Sequence, residues 1–175
     1  MAWLQSVTLL AFCTVALAKD PKPDRIRIAE VGHFTATFPG SSARASKVPV
    51  YLVQGNRMQF VTHACEFDGL SYSVMYTYAL DVRTKTMLAD AKPEILLDGA
   101  CAALHAVGVE FVKEMNFTEA GVPGREIVLE TGSNAVHAKF YVREGRLYQV
   151  LVAGPKDKIA AAEPALFFKN FEMAK

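Results

Sequence analysis

Residues 121–155 read GVPGREIVLETGSNAVHAKFYVREGRLYQVLVAGP, the longest unbroken β signal in the chain. Runs of β-branched and aromatic residues alternate with polar ones over three segments joined by two tight turns. Gly124 is expected to shape the turn into this meander and Gly145 its last hairpin. Ile127, Leu129, Phe140, Val142, Leu147 and Leu151 are the expected core residues. His137, Lys139 and Tyr141 alternate with Val136, Ala138, Phe140 and Val142, which gives that strand a polar side. A polar row of this kind suits either a binding surface or a sheet face that is solvated or covered by a helix. The stretch carries a fold and no chemical motif.

Downstream of it, a short helix is expected near Ala160 to Phe171, interrupted at Pro164, with Leu166, Phe167 and Phe171 as its apolar residues. Upstream, Val109 to Asn116 reads as a strand. Before that comes the one long helix, Ile95 to Val107. Pro93 and Glu94 lie in its first turn, and Leu96, Leu97, Ala100, Cys101, Leu104 and Val107 recur at helical spacing. Gly108 suits the position just past its end. Four more strands are expected at His33 to Phe38, Val48 to Val53, Arg57 to Glu66 and Leu70 to Ala79, the last two joined across Asp68-Gly69. Tyr72, Val74, Tyr76 and Tyr78 share one side of the last strand and read as a core face. The links are too short for parallel crossovers, so the sheet is expected to be mainly antiparallel and the class α+β.

The amino terminus reads differently. Val7 to Leu17 is a continuous apolar run, followed by Ala16-Leu17-Ala18 and the charged pair Lys19-Asp20. Small residues at Ala16 and Ala18 predict a signal peptide over residues 1–18, cleaved after Ala18. The run is shorter than the roughly twenty apolar residues that span a bilayer, so no transmembrane segment is expected in the mature chain. Residues 19–32 form a polar, proline-bearing lead, and residues 33–175 a single domain. In the whole chain, 19 Lys and Arg balance 18 Asp and Glu, which leaves no basic excess to favour nucleic acid.

Five segments in order resemble the PsbP-like superfamily of small exported bacterial domains. They are Phe34-Thr35-Ala36-Thr37-Phe38-Pro39, Leu96-Leu97-Asp98-Gly99-Ala100, Val122-Pro123-Gly124-Arg125-Glu126, Arg146-Leu147-Tyr148-Gln149-Val150 and Phe167-Phe168-Lys169-Asn170-Phe171. The resemblance implies an α/β/α sandwich around an antiparallel sheet, with one long helix and a C-terminal helix. It also implies a protein that binds or stabilises partners and is not a catalyst. No partner-binding residue of the superfamily carries over to a position here.

Cleavage after Ala18 removes Cys13 and leaves Cys65 and Cys101. An even pair in an exported chain predicts a disulfide between strand and helix, worth roughly 3–4 kcal/mol if unstrained. The alternative is a tetrahedral zinc site made by His63 and Cys65 on one strand face with Cys101 and His105 on one helix face. No other cofactor is expected. Nucleophile-elbow, zincin, Walker and dinucleotide fingerprints are missing from the sequence. Asp81 with Asp90, or Glu66 with Asp68, are acid–base pairs on paper only. Asn116-Phe117-Thr118 is a glycosylation sequon, read here as a strand end. These observations favour an exported, periplasmic or secreted, non-catalytic binding or accessory module that docks on a protein or cell-envelope partner. A zinc-binding domain, an uncharacterised hydrolase and a purely structural subunit are the alternatives.

Overall fold

The computed structural model describes residues 24–28, 33–40, 43–53, 56–105 and 110–174. The signal-peptide reading and its cleavage site lie outside the described residues. A seven-stranded antiparallel sheet is built from β3 (Arg44–Val53), β4 (Asn56–Phe67), β5 (Leu70–Ala79), β6 (Glu110–Glu119), β7 (Val122–Thr131), β8 (Asn134–Arg143) and β9 (Arg146–Pro155). Its order is β3-β4-β5-β9-β8-β7-β6. A smaller sheet pairs β2 (Phe34–Phe38) with β1 (Asp24–Ile28) on one side and β10 (Glu172–Met173) on the other. The helices are α1 (Val82–Asp90), α2 (Pro93–His105), α3 (Lys156–Ile159) and α4 (Ala162–Lys169). The class is α+β with a mainly antiparallel sheet.

Residues 121–155 supply β7, β8 and β9, as their alternation predicts. β9 lies at the middle of the large sheet, and β8 and β7 follow it outwards. Both faces of β8 and β9 are covered. Ala138, Phe140, Val142, Leu151 and Ala153 pack with Leu97 and Cys101 of α2 on one side. On the other, Tyr141, Tyr148, Val150 and Val152 pack with Phe34, Phe38, Phe167, Phe168 and Phe171. Tyr72, Val74 and Tyr76 join this second cluster, so three of the four residues in the β5 row are core, while Tyr78 is exposed. Leu147 is only half-buried, against the α2 side.

Four features differ from the sequence reading. β1 falls within the segment read as a lead, where it pairs antiparallel with β2 from Asp24↔Phe38 to Ile28↔Phe34. The helix α1 has no strong apolar stripe to announce it, since its buried residues are Thr84 and Leu88. A local signal does exist: Asp81 is the N-cap, and its carboxylate accepts from the Thr84 amide at 2.7 Å. Pro164 does not interrupt the terminal helix but lies in the first turn of α4, where its missing N–H costs nothing, and the break comes earlier, between α3 and α4. Finally, Gly124 lies two residues inside β7 and is not part of the turn, which is Ala120-Gly121.

What Gly124 provides is room. A Cβ there would fall 2.4 Å from Phe117 Cζ and 2.6 Å from the Phe140 carbonyl oxygen. The Phe117 ring therefore lies over bare backbone, as aromatic neighbours of strand glycines often do. Gly145 is constrained more tightly, with φ +69 and a Cβ position 2.5 Å from the Leu88 carbonyl carbon of α1. This close approach seats α1 against the β8–β9 turn.

Replacing Gly145 with Val should cost about 3 kcal/mol or more, because left-handed strain and a backbone clash add together. Gly124→Ala should cost about 1–3 kcal/mol by overpacking alone. Denaturant midpoints compared at constant slope check both values, and a Gly145→Val midpoint equal to wild type would refute the packing of α1 described above.

Candidate functional site

The sheet is unevenly covered on the side that carries α4. Three strands are in register there, so directly opposed residues share a face. Phe117, Gly124 and Tyr141 form one row across β6, β7 and β8; Met115, Glu126 and Lys139 form the next; Lys113, Val128 and His137 form the third. Diagonal contacts link the rows. Glu126 accepts from Lys113 Nζ at 3.0 Å and lies 2.6 Å from His137 Nε2. Tyr141 donates to Glu119 at 2.9 Å, and Lys139 Nζ is 3.9 Å from the same carboxylate. Lys139 also sits over Phe117, 5.2 Å from the ring centroid, and 5.9 Å from Phe168.

The helix α4 forms one wall. Phe167 anchors it against Phe38 and Tyr72, with centroids at 5.2 and 5.3 Å, and this leaves the neighbouring Phe168 ring 4.4 Å from His137. Burial pushes His137 below its ordinary pKa, outweighing the hydrogen bond to Glu126 that raises it. The imidazole is thus neutral at pH 7 and donates its Nε2 proton to an ionised Glu126. Burial acts against the Glu126 charge as well. Hydrogen bonds from Lys113 and His137 overcome it and hold that carboxyl below its ordinary value. Burial, reinforced by the bond to Glu119, pushes the Tyr141 phenol up, so it serves as a neutral donor.

The sequence singled out His137, Lys139 and Tyr141 as a polar row, and they do come together here. Their partners Lys113, Glu119, Glu126 and Phe168 were not anticipated. The strand periodicity of β6 and β7 carried part of that signal, but pairing register and helix position are tertiary.

The opposite side holds a second polar group. Arg125 donates to Asn116 at 2.8 Å, to Glu114 at 3.2 Å and to Asp98 of α2 at 2.7 Å. It fastens α2 to the sheet beside Cys101. Burial pushes the Cys101 thiol up, and the guanidinium opposes that only in part.

The predicted disulfide is not formed. Cys65 and Cys101 are both buried, and no disulfide joins them. Cys65 belongs to the cluster facing α4 and Cys101 to the cluster facing α2, so the sheet itself stands between them. A disulfide needs Cβ atoms about 3.8 Å apart. The Cys65 thiol donates to the Pro39 carbonyl at 3.2 Å. The same separation overturns the zinc alternative, because His63 and Cys65 cannot meet Cys101 on one ion. The His105 side chain lies outside the described residues. Among the described residues no three His, Cys, Asp or Glu side chains are grouped to hold a metal. Two carboxylates of the paper acid–base pairs have structural roles: Asp81 caps α1, and Asp68, in the β4–β5 turn, pairs with Lys158 at 2.9 Å.

With this geometry in view, known proteins offer a likeness of fold. No family model matches the chain, and comparison with curated protein sequences finds no match. The solution structure of cyanobacterial PsbP (CyanoP) from Synechocystis sp. PCC 6803 aligns over 92% of this chain and 97% of that one, at 10% identity and a TM-score of 0.45. A crystal structure of PA94 from Pseudomonas aeruginosa, described as a protein of unknown function and candidate regulator, aligns over 82% and 90% at 12% identity and a TM-score of 0.38. At these scores neither protein lends a residue or an activity to this one.

Thiol counting checks the cysteine assignment. The chain from Lys19 onward should yield two free thiols that react only after denaturation, and reductant should leave its melting temperature unchanged. One disulfide per chain, or a melting temperature that falls in reductant, would contradict the separation by the sheet.

Proposed function

We propose that this chain is an exported accessory module that binds a protein partner without turning it over, and that the contact surface is the β6–β8 face beside α4. One observation carries the reading: coverage of this side of the sheet stops part-way across. Over β5 and β9, the small sheet and the phenylalanines of residues 167–171 leave Tyr72, Val74, Tyr76, Val150 and Val152 at most 4% exposed. Towards β6 the same face emerges from cover, with Met115 at 44% and the Lys113 side chain at 45%. Methionine and aromatic rings are enriched at the centre of protein interfaces, with polar groups at the rim. The ionic groups of the patch already neutralise one another, so a partner docking there meets no isolated charge to desolvate.

The expectation of a signal peptide supports export, and the apolar run at residues 7–17 is its basis. Among the described residues no helix is long and apolar enough to cross a membrane.

A photoreactive amino acid placed singly at Met115 and at Lys113 should trap the same discrete adduct in native envelope or secretome. Val82 on α1, at 81% exposure, serves as the control position and should give none. Met115→Glu should reduce capture of that adduct's protein at least tenfold. Equal labelling from Val82, or no adduct from either β6 position, would count against the surface.

A further inference from the structure

His63 has no role in that surface, yet it is among the few polar side chains buried in the core. It is 7% exposed, and its Nε2 has no hydrogen-bond partner. Buried polar atoms in folded proteins nearly always have a partner, so an orphan calls for an explanation. The imidazole lies where the small sheet rests on the large one. Phe34 of β2 meets it edge-on at 6.0 Å, and Tyr76 of β5 stacks on it at 6.2 Å. Tyr148 of β9 lies behind both rings, 6.4 Å from Phe34 and 6.5 Å from Tyr76. Cys65 follows His63 two residues along β4 in the same cluster. Among the described residues, the titratable groups near the imidazole from β4, β5 and β9 are a thiol and two phenols, neutral at pH 7. From β2 the Phe34 ring meets it. The nearby Arg146 acts on Tyr76 and Tyr148, and burial raises both phenols.

We propose that His63 makes the docking of the β1–β2–β10 layer responsive to acid: proton uptake places beneath Phe34 a charge that has no counter-ion among the described residues, and releases that layer from the large sheet. An aromatic hydrocarbon at this position would pack as well and would not titrate. The layer is held to the large sheet chiefly by apolar packing, since Phe34, Ala36 and Phe38 share one buried cluster with Tyr72, Tyr76 and Tyr148. Polar ties across the seam include the Cys65 thiol to the Pro39 carbonyl at 3.2 Å and Arg143 to the Ala174 carbonyl at 2.6 Å. Release would uncover Phe34, Tyr76 and Tyr148.

The sign follows from linkage. Burial holds His63 below its ordinary value of 6.5 in the docked state, so the undocked state binds the proton more readily. Docking is complete above about pH 6.5 and weakens as pH falls below it, until the docked-state value is reached. If the undocked imidazole titrates at about 6.5, lowering the pH from about 7.5 to about 5 raises the open population by up to roughly 30-fold.

Hydrogen exchange on the chain from Lys19 onward tests this. Protection of the Phe34–Phe38 amides, corrected for intrinsic exchange, should fall by about tenfold or more between pH 7.5 and 5. In His63→Phe it should hardly change. His137→Gln, altered beneath α4, should keep the full β2 response. A response that survives in His63→Phe, or no response in the wild type, would overturn the proposal. Should His63→Phe fail to fold, an NMR titration of the wild-type His63 ring decides: an apparent pKa at or above 6.5 in the folded protein rules the device out.

Discussion

Everything in this fold depends on the seam between β5 and β9. The large sheet consists of two meanders, β3-β4-β5 and β6-β7-β8-β9, each zipped by its own hairpins. Ladder contacts between Ser71–Tyr76 and Tyr148–Ala153 are all that join them into one sheet. This pairing closes a loop that includes both longer helices, so its entropic cost is met by burial on both faces and not by local turns. Tyr72 opposite Val152, Val74 opposite Val150 and Tyr76 opposite Tyr148 provide that burial on one side. Leu151 and Ala153 provide it on the other, against the α2 cluster.

A sheet buried on both faces is also a partition. It separates the two cysteines, one by the Pro39 carbonyl and the other by Arg125, and each works as a small apolar residue with a weak donor. It separates the polar groups in the same way. Arg125 links α2 to β6 and β7 on one side, while Glu126, the next residue, organises Lys113 and His137 on the other. Adjacent residues serve opposite layers because side chains alternate with a period of two.

The strands were legible in the chain because the apolar and β-branched runs are long and the hairpins carry their own turn residues. β5 is the clearest case, Leu70–Ala79 in both the pattern and the structure. The polar row His137, Lys139 and Tyr141 was legible for the same reason. The helix α1 was not, because a helix that buries little beyond Thr84 and Leu88 leaves almost no periodic trace. β1 was hidden by a polar, proline-bearing lead whose pairing with β2 is visible only in the assembled sheet. The cysteine pairing misled because count and compartment say nothing about which face of a sheet a residue takes.

The sequence by itself determined the α+β class, the meander of residues 122–155, the strand bounds near the Asp68-Gly69 turn and the face alternation along β8. These are local consequences of side-chain period and turn chemistry. Only the tertiary structure decided that β9 pairs with β5, that Gly124 makes room for the Phe117 ring, that Cys65 and Cys101 face away from each other, and that His63 lies unpartnered beneath Phe34. Each of these depends on which distant segments come to lie side by side. That choice is made by total burial over the whole chain, and no window of sequence contains it.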